Sequence, residues 1–192
     1  MKFDVESSNP MLVGAMQLMK AEDTPEHRKL ITDELAKAVF LSPIYVDPAP
    51  VTDEEGNVKV EPGAKVQFPM LNTKDGKRFF VLYTDKRCMD EAEDEEGNAT
   101  PEIFRDHFAA VQLDELGAMM AATPERMQPA AADGVVINPF HENFVVGKEM
   151  AIGLFRHKVE VLKKKAENAR RAMEDPGKVI RFPGPGRNNP KD

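Results

Sequence analysis

The sequence predicts an α+β fold: a mainly antiparallel sheet with packed helices, an N-terminal helical pair and a long C-terminal helix. Apolar residues recur at helical spacing near the N-terminus, alternate with a period of two through the middle, and return to helical spacing near the C-terminus. Helices and strands that occupy separate stretches of a chain indicate this class. A chain of 192 residues is long enough to enclose its own core.

Two amphipathic helices are predicted at the N-terminus. Asn9 is the expected N-cap of the first and Pro10 its first helical residue, since both residue types favour those positions. Its apolar stripe consists of Met11, Leu12, Ala15, Met16 and Met19. Thr24 and Pro25 repeat the pattern for a second helix, which we expect to stop before Pro43. The second stripe consists of Leu30, Ile31, Leu35, Ala38 and Val39.

The middle of the chain reads as a meander of short antiparallel strands. Four β-rich runs carry the period of two, namely "PIYVD", "VKVEP", "VQFPML" and "RFFVLYT". Two segments with turn residues separate them, "DEEGN" at 53–57 and "KDGK" at 74–77, and the second is a strong hairpin signal.

Shorter elements are predicted for the following part. The stretch "DKRCMDEAEDEEGNATPE" indicates a short helix that leads into an acidic mobile loop. "AAVQL" is typical of a strand, and "DELGAMMAA" of a helix capped by Asp114. "GVVINP" and "FVVG" predict two further strands, and a helix follows from Lys148 to Glu174. We therefore expect a loose N-terminus at 1–8, an α+β domain at 9–155, a basic helical extension at 156–175 and a flexible Pro/Gly-rich tail at 176–192.

The long C-terminal helix carries apolar residues spaced alternately three and four apart, the pattern by which one helix packs along another. They are Ile152, Phe155, Val159, Leu162, Ala166, Ala169 and Met173. Its first half should dock on its own domain, beside the N-terminal helices. Five cations flank the second half, which is either a solvated face or a surface that meets an acidic partner, a second copy or another protein. These candidate partner-binding residues are Lys163, Lys164, Lys165, Arg170 and Arg171.

Charge is divided unevenly along the chain. Residues 148–192 hold 12 Lys/Arg against 6 Asp/Glu, a balance of +6, whereas residues 1–147 hold 14 against 27, a balance of −13. An acidic body repels phosphate backbones, so nucleic-acid binding is not expected outside the C-terminal segment. The N-terminus lacks the features of a secretion signal, and no apolar run is long enough to span a membrane. With a single cysteine, Cys88, these features predict a cytoplasmic protein.

The motifs of common enzyme classes are absent from the sequence. No serine lies in a Gly-x-Ser-x-Gly setting, and no Gly-rich phosphate loop occurs. The four histidines lack metal-site spacing, and the acidic stretches fail the ligand pattern of a calcium loop. We therefore expect no metal, no cofactor and no catalytic residue. Cys88 follows Lys86 and Arg87 in sequence, which predicts a mildly lowered thiol pKa but an unreactive side chain without a partner base.

The stretch "DGVVINPFHENFVVGKEM", residues 133–150, raises the clearest question of function, because a histidine and an acid lie between two apolar runs. Asn and Pro at 138–143 favour a turn that joins the two strands. The functional alternative is a ligand site formed by Asn138, His141 and Glu142, with the last two as an exposed acid/base pair.

Together with "VQFPMLNTKDGKRFFVLYTD", that stretch resembles the enhanced serine sensitivity protein SseB family, specifically its N-terminal domain. The shared features are Pro69, the Asp75-Gly76 turn, Tyr83-Thr84, the Asn138-Pro139 step and Glu149. The resemblance covers roughly residues 25–155 and implies an α+β domain of a bacterial-type family with no established molecular activity. The C-terminal domain of longer members is expected to be absent here.

Two functions from different classes remain open at the level of sequence. The favoured interpretation is a non-enzymatic binding or regulatory module with a protein partner or a second copy as its ligand. The alternative is a small-molecule-binding protein or enzyme whose site combines distant residues, near the 138–143 turn and the "YTDKRC" strand end.

Overall fold

The computed structural model describes residues 8–52, 58–93, 97, 107–122 and 132–174. The chain divides into two units, Met1–Arg156 and His157–Asp192. Five helices lie in the described residues: α1 Pro10–Ala21, α2 Pro25–Leu35, α3 Lys86–Asp90, α4 Leu113–Ala122 and α5 Lys148–Glu174. The strands are β1 Val39–Pro43, β2 Tyr45–Asp47, β3 Val51–Thr52, β4 Val58–Lys59, β5 Lys65–Gln67, β6 Met70–Asn72, β7 Arg78–Leu82, β8 Phe108–Gln112, β9 Gly134–Ile137 and β10 Phe144–Gly147.

The predicted α+β class is confirmed, and so is the helical pair at the N-terminus, where α1 and α2 pack against each other. Thr24 caps α2 as expected, because its Oγ1 accepts a hydrogen bond from the backbone N–H of His27 at 3.1 Å. The second helix is shorter than predicted. It ends at Leu35, and Val39 already belongs to β1, since the apolar run that follows pairs with β8 in a sheet. Met11 is also misassigned, because it is 65% exposed.

Four strands form the main sheet, in the order β10-β9-β7-β6. The "KDGK" hairpin is confirmed: β6 and β7 are antiparallel, and Gly76 takes a φ of 80° in the turn. The predicted meander is wrong, because β2 pairs with β5 and skips the β3–β4 pair that lies between them in the chain. In addition, β7 pairs with β9 in parallel, and β1 pairs with the distant β8. The β3–β4 pair is antiparallel, while the "DEEGN" turn and the acidic loop after α3 lie outside the described residues.

The strand β1 joins the main sheet at the end of β7. Leu41 and Tyr83 exchange two backbone hydrogen bonds, of 2.9 and 2.8 Å. The backbone N–H and C=O groups of successive residues in a strand point to alternate sides. Those of Tyr83 therefore face β1, while the carbonyl of Leu82 and the N–H of Thr84 bond to Asn138 after β9. The end of β7 is therefore enclosed on both sides.

The main core lies among the sheet, α1, α2, α4 and the start of α5. The start of α5 packs on the core of its own unit, where Ala151 and Ile152 are buried and Met150 and Leu154 lie against them. It makes a close backbone contact with α4. A Cβ added to Gly117 would lie 2.1 Å from the carbonyl oxygen of Ala151, so only glycine fits there. The same core cluster includes Leu12 and Met16 of α1.

The helix α4 begins one residue earlier than the sequence indicated. Asp114 lies in its first turn instead of at the cap, and it is buried. The carboxylate of Glu115 reaches back and accepts from the N–H of Gln112 at 2.9 Å, as the third residue of a capping box does. Asp114 is thus a buried residue in the first turn of the helix, where the helix dipole favours an acidic side chain.

Candidate functional site

A buried polar cluster lies where β7 and β9 end. These strands are parallel, so their carboxyl ends meet at one edge of the sheet. Thr84 follows β7 and Asn138 follows β9, and both side chains have no exposed surface. The structure thus brings together the "YTDKRC" strand end and the 138–143 turn, two segments that are far apart in the chain.

Asn138 joins the two segments through both atoms of its side-chain amide. Its Oδ1 accepts from the backbone N–H of Thr84 at 2.9 Å, and its Nδ2 donates to Thr84 Oγ1 at 2.9 Å and to Glu142 Oε2 at 2.7 Å. The backbone N–H of Asn138 donates to the carbonyl of Leu82 at 2.8 Å. Buried polar groups are tolerated when they are bonded in this way, so Asn138 fastens the turn to the sheet.

Asn9 extends the cluster to the start of α1. It occupies the N-cap position, but its side chain forms no capping hydrogen bond, which corrects the predicted role. Its Nδ2 donates instead to the carbonyl oxygens of Val39 at 2.8 Å and Thr84 at 2.9 Å. Side-chain amides therefore join four segments that are distant in sequence: the start of α1, β1, the end of β7 and the 138–143 turn.

Cys88 lies beside the cluster on α3. Asp85 caps this short helix, since its Oδ1 accepts from the N–H of Cys88 at 2.8 Å. The thiol donates to Asp85 Oδ2 at 3.4 Å, and Thr84 Oγ1 lies 3.7 Å from the sulfur. Burial raises the pKa of the Cys88 thiol, and the charges of Asp85 and Glu142 raise it further. The lowered pKa predicted from sequence is wrong because neighbours in the chain are not the neighbours in space.

The turn that follows Asn138 has an unusual backbone. Three of its residues other than glycine have positive φ: Asn138 at 48°, Phe140 at 68° and Asn143 at 54°. Asn tolerates this left-handed region, whereas a bulky residue there is strained. Phe140 is nevertheless 44% exposed. The backbone N–H groups of His141 and Asn143 both donate to the carbonyl of Asn138, at 3.1 and 3.0 Å, which closes the turn.

A groove of about 720 Å³ separates this turn from α1. Its α1 wall is formed by Met16, Gln17, Met19 and Lys20, and its other wall by residues 140–145. Side chains of successive strand residues point to opposite faces, yet both Phe144 and Val145 line the groove. The groove thus reaches the start of β10, which is the outer strand of the main sheet in the described part of the chain.

The three predicted ligand-site residues differ in burial and in hydrogen bonding. Asn138 is buried, Glu142 is half-buried and bonded to Asn138, and His141 is exposed. The turn reading is confirmed, because Phe144 pairs with Ile137 in the antiparallel β9–β10 hairpin. Glu142 engages Asn138 and no hydrogen bond joins it to His141 among the described residues, which gives no support to an acid/base pair.

The predicted partner-binding cations lie on α5, where every residue from 162 to 171 is exposed. Ion pairs along the helix join Lys164 to Glu160 and Arg171 to Glu167, each at 2.7 Å. The hydrogen bond from Lys164 lowers the pKa of Glu160. Lys163 and Lys165 are also exposed.

Neither a metal centre nor a membrane span is found in the described part of the chain. No three His, Cys, Asp or Glu side chains converge there as metal ligands. Within the same residues, no helix has the length and apolarity required to cross a bilayer.

The sequence signals for the cluster were incomplete. Thr84 and Asn9 could not be identified as members, because each lies among ordinary turn or cap residues. Thr84 meets Asn138 only through the parallel β7–β9 pairing, and Asn9 meets Val39 and Thr84 only where the start of α1 lies beside β1 and the end of β7. Asn138 carried a signal, since an Asn followed by Pro at the end of a strand tends to start a turn.

The fold and the site define an α+β domain with an internally bonded polar cluster beside an open groove. A family model, SseB protein N-terminal domain, matches residues 12–150, well over half of the chain. The chain therefore belongs to this family, as the resemblance indicated. Comparisons with curated proteins and with solved structures gave no match.

Proposed function

We propose that this chain is a non-enzymatic binding module that binds a protein partner in the groove between α1 and residues 138–145. The observation that carries the proposal is Phe140, an exposed aromatic side chain held at a φ of 68° on a turn anchored by the buried Asn138. A left-handed backbone costs about 1–2 kcal/mol for such a residue. Strain of this kind persists where the surroundings impose it, and it is concentrated at binding and switch regions.

The anchoring of the turn favours recognition by a preorganised surface. Asn138 is bonded to Thr84 and Glu142 from a fully buried position, so the turn does not need to be ordered when a ligand arrives. Preorganisation lowers the entropic cost of binding. Exposed aromatic residues are also the side chains that dominate binding energy at protein interfaces.

The lining of the groove favours a polypeptide ligand. It combines the apolar side chains of Met19, Phe140 and Phe144 with Gln17 and Asn143, which can bond to a peptide backbone. The edge of β10 also borders the groove, and an edge strand offers backbone donors and acceptors to an added strand. The partner is a second copy or another protein, and the body charge of −13 favours a cationic surface on it.

The hydrogen bonds of the polar cluster support a structural role over a catalytic one. Asn138, Thr84 and Asp85 bond to one another and to the backbone. A nucleophilic cysteine needs a lowered pKa, whereas the pKa of Cys88 is raised by burial. Together with the single cysteine and the acidic body, these features fit a cytoplasmic regulatory protein that binds no nucleic acid through its domain.

One observation favours the alternative, a small-molecule site or an enzyme at the same place. His141, Glu142 and Asn143 all line the groove, so a small polar ligand would find donors and acceptors there. A thermal shift screen tests this alternative, because a metabolite present at about 100 times its Kd raises the stability by about 2.7 kcal/mol.

The protein-binding proposal is tested with Phe140→Asn, which keeps a residue suited to positive φ and removes the aromatic ring. The matched control is Val66→Asn, since Val66 is 50% exposed on β5 and lies outside the groove. Proteins that co-purify with the wild-type chain and with the control, but not with Phe140→Asn, support the proposal. An identical set of proteins with all three chains contradicts it.

A further inference from the structure

From Val159 to Ala169, α5 carries a narrow apolar seam that is open to solvent from Leu162 onward. Val159 and Ala166 are seven residues apart, as are Leu162 and Ala169, so they form the a and d positions of two successive heptads. Leu162 is 56% exposed, and both alanines are exposed. The small alanine side chains leave room for a second helix to approach closely.

The residues that flank this seam have one sign of charge. In the same heptad assignment, the e and g positions from 158 to 170 are all cationic, namely Lys158, Lys163, Lys165 and Arg170. The acidic residues Glu160 and Glu167 occupy the b position, away from the seam. There they pair along the helix with Lys164 and Arg171 at f. These two ion pairs lie on the outer face, whereas the e and g positions beside the seam hold only Lys and Arg from 158 to 170.

We propose that this seam binds an acidic amphipathic helix of a different protein, with Glu or Asp beside its own apolar stripe. Charges at e and g choose the partner of a coiled coil. In a parallel pair of two copies g faces e, and in an antiparallel pair like positions face each other. Either arrangement would place Lys163, Lys165 and Arg170 against cations, which opposes self-pairing through this seam.

The small number of bulky apolar residues in the seam favours an acidic helix over the other anionic surfaces, membranes and nucleic acids. A helix that lies on a membrane carries a broad face of bulky apolar residues. From 159 to 171 the residues larger than alanine on the apolar side are limited to Val159, Val161 and Leu162. Nucleic acid would need the cations of the outer face as well, and there Lys164 and Arg171 are paired with acids.

The test uses the full chain and a fluorescent synthetic helix of about four heptads, with Leu at d, Ala at a and Glu at e and g. A second probe has Lys in place of every Glu. We expect the Glu helix to bind, with an affinity that falls between about 50 mM and about 500 mM salt, and the Lys helix not to bind. Phe140→Asn should bind the Glu helix like the wild type, because this seam is separate from the groove proposed above.

Two double variants locate the interaction. Lys163→Gln with Lys165→Gln removes one e and one g cation and should weaken binding about fivefold, as expected for two surface ion pairs. Lys164→Gln with Arg171→Gln removes the same charge from the f positions and should change the affinity less than about twofold. Circular dichroism checks that α5 remains helical in both.

Several results would overturn the proposal. They are equal binding of the Glu and Lys helices, no binding of the Glu helix, and equal weakening by the two double variants. A salt-sensitive homodimer that the Lys163 and Lys165 changes disrupt would also overturn it. Binding to phosphatidylglycerol vesicles that is tighter than binding to the Glu helix would assign the seam to a membrane instead. Tighter binding to a DNA duplex of about 20 base pairs than to the Glu helix would assign it to nucleic acid.

Discussion

Replacing Asn138 with alanine tests whether this side chain fastens the turn to the sheet. The change removes the acceptor of the buried Thr84 N–H, which lies 2.9 Å from Asn138 Oδ1. A buried donor left without its acceptor costs about 1–3 kcal/mol. Alanine at a φ of 48° adds about 1 kcal/mol, because its Cβ disfavours the left-handed region. The free energy of unfolding should therefore fall by about 3 kcal/mol, and Tm by roughly 10 °C.

Asn143 provides a matched control on the same turn. Its φ is 54°, close to that of Asn138, but its side chain is exposed. Asn143→Ala should therefore cost only the backbone part, about 1 kcal/mol. Urea unfolding followed by circular dichroism measures both, since the chain has no Trp. Equal losses for the two variants would refute the reasoning, because the buried hydrogen bonds would then contribute nothing beyond the turn conformation.

Three further predictions concern other parts of the first unit. Gly117→Ala should lower the free energy of unfolding by at least about 2 kcal/mol, because its Cβ would lie 2.1 Å from the Ala151 carbonyl oxygen, and thermal melting measures this. The helical Gly14, with nothing within 4 Å of an added Cβ, is the control, and Gly14→Ala should stabilise by about 0.5–1 kcal/mol. The Cys88 thiol should react with a disulfide reagent more slowly than free cysteine does at neutral pH, and the reaction rate should rise as the pH approaches the raised pKa of the thiol. A reaction rate that no longer changes with pH near neutrality would contradict this prediction. In urea unfolding, Pro139→Ala should lower the free energy of unfolding by about 1 kcal/mol, whereas His141→Ala should change it by less than about 0.5 kcal/mol. A large loss of stability for His141→Ala would show that this exposed residue is structurally engaged.

Local signals in the sequence predicted the elements well. Proline at the first helical position and threonine at the cap located α2, and an Asp-Gly turn located the β6–β7 hairpin. The long helix α5 follows the predicted limits, Lys148 and Glu174. In each case the residues that determine the structure are neighbours in the chain, so their pattern is visible without the fold.

Pairings between distant segments could not be predicted in the same way. The run "VIN" reads equally well as an edge or a central strand, and nothing in it specifies a parallel partner such as β7. Asn9 has the residue type of an N-cap, yet its amide bonds to Val39 and Thr84. The pKa of the Cys88 thiol is raised mainly by burial, which exists only once the chain has folded. The sequence therefore indicated the two segments that meet at the candidate site, but not the hydrogen bonds between Asn138 and Thr84 that join them.

The parallel pairing of β7 with β9 has a consequence for the order in which the domain folds. The hairpin of β6 and β7 closes over a few residues, whereas the pairs Phe79–Gly134 and Val39–Gln112 form only when long segments of chain close into loops. Loop closure over such lengths loses more chain entropy before any contact compensates for it. Proteins dominated by contacts of this kind fold slowly. We therefore expect the hairpin to form early and the contacts between Asn138 and Thr84, 54 residues apart, to be among the last, so that the groove is assembled only when folding is complete.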